Sequence, residues 1–168
     1  MAKKVLMIIA PDNFRDEEFF DTKKELESAG IEVKVANSTG QPSKSSFGKI
    51  VKPDMNFYDA DPKEYDAIVF VGGAGTKVYF NNKRALQLAK EFNRDKKVVS
   101  AICIAPAILA NAGILDGKKA TSFPSVRNEL NAVGTYTGTD VEIDGKIITA
   151  NGPSAAKNFG KRIAEALR

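Results

Sequence analysis

The chain of 168 residues carries 25 lysines and arginines against 21 acids, a net charge of +4, with one cysteine and no histidine. This length suits one domain with its own core, expected to span residues 1–168. One cysteine excludes an internal disulfide. The lack of histidine excludes Cys-His and Ser-His pairs and histidine metal ligands, leaving Asp, Glu, Lys or Tyr for any general base.

Hydrophobic residues make up 43% and charged residues 27%, ordinary for a globular protein. Lysines such as Lys23 and Lys24 adjoin acids such as Glu25, so they read as solvated faces and no nucleic-acid partner is expected. No apolar run approaches the ~20 residues of a membrane span, so no membrane partner is expected either. Met1-Ala2-Lys3-Lys4 leads directly into a strand that is too short for a signal-peptide core. A reducing cytoplasm is the expected location.

Val5 to Ala10 is a continuous apolar run, the pattern of a strand covered on both faces. Pro11-Asp12-Asn13 reads as a turn. A helix follows from Arg15 or Asp16 to Ala29, stopped by Gly30, with Phe19, Thr22, Leu26 and Ala29 as its core stripe and Glu18 bordering that face. Ile31 to Ala36 alternates as a strand. Ser38 to Lys49 is polar and reads as loop or exposed hairpin. Residues 50–58 suit an edge strand, because Pro53 interrupts them.

Asp66 to Val71 is a central strand, followed by Gly72-Gly73-Ala74-Gly75. The spacing of Ala85, Leu88, Ala89 and Phe92 predicts a helix over 83–94. After the strand that starts at Val98, a helix is predicted from Pro106 to Ala112. Short elements follow: strand Ala120 to Phe123, helix Val126 to Ala132, strands Thr135 to Thr137 and Val141 to Ile143, a turn at Asp144-Gly145, and strand Lys146 to Ala150. A last helix runs from an N-cap at Ser154 to Leu167, burying Phe159, Ile163 and Leu167. Alternating strands and helices predict an α/β fold with a mostly parallel sheet covered on both faces.

The chain centres on Ala101-Ile102-Cys103-Ile104-Ala105-Pro106. A strand ends at the cysteine, and a helix leaves with Pro106 in its first turn, where proline is tolerated. A strained strand-to-helix turn needs small residues two positions to either side of its centre, and Ala101 and Ala105 supply them. Cys103 thus occupies a nucleophile position, where N–H groups opening the helix would favour its anion. A plain buried cysteine fits the same stretch. Ligands in such folds sit at the carboxyl ends of strands, where the Glu18 loop, Gly72-Gly73 and Cys103 converge.

Each neighbour has two readings. A buried Glu18 would keep its proton and could donate it to a thiolate, or Glu18 is one more exposed acid at a helix start. Gly72-Gly73 could bring a backbone N–H to an oxyanion, with Ile104 N–H as the second donor, or simply turn the chain. Gly72, Asn13, Arg15, Phe123 and Asn151 could wall a pocket or serve their own turns.

The elbow around Cys103, with Gly72-Gly73 upstream, Glu18 after the first strand, and the segments Thr121-Ser122-Phe123-Pro124 and Thr149 to Pro153, resembles the ThiJ/PfpI superfamily over nearly the whole chain. That superfamily includes PfpI-type intracellular proteases and protein deglycases. The resemblance implies a three-layer α/β/α sandwich, flavodoxin-like and also described as class I glutamine amidotransferase-like. It implies Cys103 as nucleophile, Glu18 hydrogen-bonded to it, and backbone donors at Gly73 and Ile104. It also implies a homodimer or larger homo-oligomer, and no cofactor is expected. The chain departs from the pattern where Ile104 and Phe123 replace family histidines, and Asn151 replaces an arginine. These changes disfavour Cys-His proteolysis and suggest a drier pocket. The expected function is cysteine-dependent chemistry on small reactive carbonyls, glyoxalase- or deglycase-like, or else a PfpI-like hydrolase acting on peptides. The alternative is a redox-responsive stress protein or chaperone that uses Cys103 oxidation without catalysis.

Overall fold

A computed structural model describes residues 2–168; Met1 lies outside them. The elements run in order as β1 (Lys4–Ile8), β2 (Asp12–Phe14), α1 (Asp16–Ser28), β3 (Glu32–Asn37), β4 (Ser43–Ser45), β5 (Ile50–Val51), β6 (Met55–Asn56) and β7 (Ala67–Phe70). They continue as α2 (Lys83–Arg94), β8 (Val98–Ile102), α3 (Pro106–Asn111), β9 (Lys119–Ala120), α4 (Arg127–Asn131), β10 (Thr135–Tyr136), β11 (Val141–Asp144), β12 (Ile147–Ala150) and α5 (Ala156–Ala166).

The main sheet has seven strands in the order β11-β12-β8-β7-β1-β3-β6. Every pairing is parallel except that of edge strand β11 with β12. Side chains alternate across it. Val5, Met7 and Ile9 pack with α1 and α5 on one face, while Leu6, Ile8 and Ala10 pack with α2 and α3 on the other. Both faces of β1 are therefore dry, which is why its sequence is apolar without interruption. The expected α/β/α layering is present.

Two helices illustrate how the layers close. In α2 the Asn82 side chain accepts from Ala85 N–H at 2.9 Å, a cap worth ~1 kcal/mol. α1 and α5 approach so closely that a side chain on Gly160 would sit 2.8 Å from the Glu25 Cβ. No helix among the described residues is long and apolar enough to cross a membrane.

Several local expectations change. The turn expected at Pro11-Asn13 is instead the strand β2, which pairs with β4, and β4 pairs with β5. The polar segment before Lys49 thus belongs to a three-stranded flap. The strand expected over 50–58 divides at Pro53 into β5 and β6, and β6 takes the sheet edge. The strand expected to reach Phe123 stops at Ala120. Ser154 does not cap α5. It lies inside a 3-10 turn, Pro153–Ala155, and α5 starts at Ala156. Ala29 caps α1 in solvent and drops out of its buried stripe. α3 is only six residues long, so backbone N–H groups next to Cys103 matter more than any helix dipole.

Candidate active site

The carboxyl ends of β1, β7 and β8 are adjacent, and the chain leaving each of them contributes to one cavity of about 350 Å³. Beyond β8, Cys103 adopts φ +65°, a left-handed conformation that costs a non-glycine residue roughly 1–3 kcal/mol. Its backbone is pinned on both sides. Cys103 N–H donates to Ala150 O at 2.9 Å, and Cys103 O accepts from Phe123 N–H at 2.7 Å. Ala101 and Ala105 on either side are fully buried, leaving no room for larger residues in the turn. The sulfur is half-buried and borders both hydrophobic layers.

Beyond β1, Glu18 sits in the first turn of α1. Its burial is complete, and neither carboxyl oxygen makes a well-formed hydrogen bond. The carboxyl lies beside the Cys103 thiol and the Gly72 N–H, close enough for both to influence its charge. Gly72, beyond β7, explains how these groups fit together. A Cβ there would collide with Glu18 Oε1 and would sit 2.6 Å from both Cys103 Cβ and Ile102 O. Gly72 is therefore a bare wall behind the pair, outside the cavity lining. Gly73, at φ +115°, passes equally close to the Asn13 and Phe14 backbone. Its N–H and that of Ile104 donate to no backbone carbonyl and are directed at the sulfur.

The electrostatics of the pair follow from burial. Burial pushes Glu18 up to about 8, against smaller lowering influences of Cys103, Arg15 and the Gly72 N–H. Burial first, then the Glu18 charge and the hydrogen bond to it, push the Cys103 thiol up to about 12, while the Gly73 and Ile104 N–H groups pull it down. The upward influence of Glu18 belongs to its ionised form. A Glu18 that keeps its proton at neutral pH is a donor to sulfur instead of a repelling charge, so the pair gives up its protons as one unit.

The cavity is lined by Glu18, Cys103, Gly73, Ile104, Arg15 and Phe123 from the expected set. Phe123 stands at the mouth with 45% of its surface exposed. Three expected pocket residues lie outside the lining: Gly72, the bare wall behind the pair, and two that lie elsewhere. Asn13 is solvent-exposed at φ +56°, with only its carbonyl turned toward Gly73. Asn151 turns to the sheet edge, bonding Asp140 through its N–H at 3.0 Å and its side chain at 3.3 Å. Five lining residues were not among the expected site residues: Ala74 and Pro153 lie in segments singled out from the sequence, whereas Ser46, Lys77 and Ser125 had no local signal. Ser46 arrives because its N–H donates to Phe14 O at 2.8 Å, folding the flap over α1. Ser46, Lys77 and Ser125 add polar groups, but the lining stays mostly apolar, in line with what Ile104 and Phe123 suggested.

Comparisons with known proteins agree with this fold. The chain is 44% identical over 168 residues to an uncharacterized protein of Methanocaldococcus jannaschii, covering 98% of this chain and 82% of that one. It is 30% identical to a deglycase of Thermococcus kodakarensis, over 97% of this chain and 99% of that one. The crystal structure of a ThiJ/PfpI domain protein from Brachyspira murdochii superposes with a TM-score of 0.96 at 32% identity, covering 99% and 96% of the two chains. The profile of the DJ-1/PfpI family matches residues 3–166, and the chain belongs to that family.

Proposed function

We propose that the protein converts small α-oxoaldehydes to α-hydroxy acids, with Cys103 as nucleophile and Glu18 as its proton partner. The observation that carries this reading is the buried, unpartnered Glu18 carboxyl set across bare Gly72 from Cys103 in a left-handed turn. The name deglycase on a relative matched along nearly its whole length supports the same reading.

In the first step the pair has lost one of its two protons to solvent, leaving a Cys103 thiolate beside protonated Glu18, and the sulfur forms a bond to the aldehyde carbon. The carbonyl electron pair moves to oxygen, where the Gly73 and Ile104 N–H groups face it, and the Glu18 proton neutralises it as a hemithioacetal. Glu18, now a carboxylate, takes the hydrogen of that carbon as a proton and returns it to the neighbouring carbon through an enediol. The product is a thioester. Water then cleaves the carbon–sulfur bond, releasing the α-hydroxy acid and restoring the thiol. Methylglyoxal plus water becomes lactate and a proton, and no oxidant or reductant is consumed. One carboxyl carries every proton, where a second positioned acid or base typically adds ~10²–10⁴-fold, so turnover is slow.

The test follows methylglyoxal loss and lactate formation with the wild type and Cys103→Ser. Lactate formation only with the wild type is expected, and equal rates in both would overturn the reading. The same unpartnered carboxyl favours a second reading, in which Glu18 donates to a Cys103 sulfinate formed by peroxide. Mass spectrometry after mild peroxide reads it directly, and a thiol that stays reduced counts against it. Homodimer formation belongs to the first proposal, and sedimentation of the whole chain tests it.

A further inference from the structure

The cavity holds two cations and one buried acid, and their charges do not balance. Arg15 is committed to Glu17, through its Nε at 3.1 Å and its Nη2 at 2.9 Å, and its guanidinium lies 5.0 Å from the Phe47 ring centroid. Lys77 lines the same cavity from the 3-10 segment Ala74–Tyr79, and its ammonium, among the described residues, has neither an ion pair nor a hydrogen bond. The Ser125 hydroxyl lies in the same lining without a side-chain hydrogen bond. Glu18 keeps its proton at neutral pH because burial holds it at about 8, so it does not neutralise Lys77. While Cys103 is still a thiol, the lining therefore carries one uncompensated positive charge.

We propose that Lys77 makes this pocket selective for α-oxoaldehydes that carry a carboxylate at the end remote from the aldehyde. The inference rests on the reading of Cys103 and Glu18 given above and adds the substrate class. The Gly73 and Ile104 N–H groups face the sulfur and are taken by the oxyanion, which leaves Lys77 with Ser125 for the far end of the substrate. One ammonium and one hydroxyl match a monoanionic carboxylate; a phosphate dianion would need more donors. A cavity of about 350 Å³ also leaves space beyond a molecule as small as methylglyoxal. A charged group in a half-open cleft concentrates substrates of opposite sign and rejects like charge.

The sole cysteine allows a test that needs no turnover. Cys103 alkylation is timed with iodoacetate and with iodoacetamide in the wild type, Lys77→Gln and Lys77→Arg. In each case the thiolate displaces iodide, and the two reagents differ chiefly in charge. The iodoacetate-to-iodoacetamide rate ratio is expected to fall roughly three- to tenfold in Lys77→Gln and to hold in Lys77→Arg. The ratio for kcat/KM on dioxovalerate, an α-oxoaldehyde carboxylate, against methylglyoxal should fall in parallel. An alkylation ratio that Lys77→Gln leaves unchanged overturns the inference even if methylglyoxal is consumed. A ratio that falls while neither aldehyde is consumed upholds charge selection at the thiol but overturns the catalytic reading. No alkylation by either reagent overturns both.

Discussion

Asp16 and Glu18 stand two residues apart in the first turn of α1, and both are buried. Asp16 faces the flap, where one oxygen accepts from Ser45 Oγ at 2.7 Å and the other from Phe47 N–H at 3.1 Å. Glu18 faces the elbow, and neither of its oxygens has a well-formed partner. The same kind of side chain thus does two jobs, decided by what the fold brings opposite it. Asp16 is satisfied and ties the flap to the helix. Glu18 is left with its proton and a neighbouring sulfur, because burying a bare carboxylate without partners is too costly. A satisfied buried acid marks structure, whereas an unsatisfied one facing a strained cysteine marks chemistry.

The largest effect should come from filling the gap between Glu18 and Cys103. Gly72→Ala puts a methyl group against both, and overpacking of this kind typically costs about 1–3 kcal/mol. Lactate formation should fall below detection and the melting temperature should drop. Full activity in Gly72→Ala would break the close juxtaposition on which the comparison depends.

Glu18→Gln should follow. It keeps the shape and the neutral donor but cannot shuttle a proton, so turnover should fall roughly 10²–10⁴-fold. Its stability should change in a way a merely structural residue would not show. Glu18 titrates at about 8 in the fold against 4.5 as its ordinary value. Between those values the unfolded chain has lost the proton and the folded chain keeps it. Stability therefore falls as pH rises from about 4.5 to about 8, by at most about 1.4 kcal/mol per unit from this group. Urea melts across that range should show the slope in the wild type and lose it in Glu18→Gln. A slope that survives the substitution would assign it to other groups.

Asp16→Ala should give the smallest of these effects. Removing the acceptor strands the Ser45 hydroxyl and the Phe47 N–H, worth about 1–3 kcal/mol. The Cys103 alkylation rate at neutral pH should stay within about twofold of the wild type, because Asp16 acts on the flap and not on the sulfur pair. A large change in alkylation would erase the distinction between the two acids.

The two acids also show what the sequence could and could not tell. The elbow was legible because a β-branched run, flanking alanines and Pro106 are local signals. The central strands were legible from continuous apolarity, and α2 from its spacing. Glu18 was legible as bordering the core face of α1, but its burial depended on Gly72 and Cys103 arriving opposite it from the ends of β7 and β8. The flap was legible only in part: a hairpin was one reading of its polar segment, but the pairing with β2 was not visible. β2 and β4 are three residues each, polar outside Phe14, and they exist through pairing between segments about thirty residues apart. Ser46 and Lys77 entered the site by the same non-local route, and so their role had no sequence signature. Asn13 and Asn151 were misplaced for the converse reason. Their chain positions adjoin the site, but one faces solvent and the other is held by Asp140.

The most direct test of the pair is the pH dependence of Cys103 alkylation by iodoacetamide in the wild type and in Glu18→Leu. If protonated Glu18 donates to the thiolate, removing it withdraws a stabilising hydrogen bond, and the apparent thiol pKa should rise in Glu18→Leu. If Glu18 instead stands ionised beside the sulfur, removing it withdraws a repelling charge. The apparent pKa would then fall, contradicting the shared-proton account of the site.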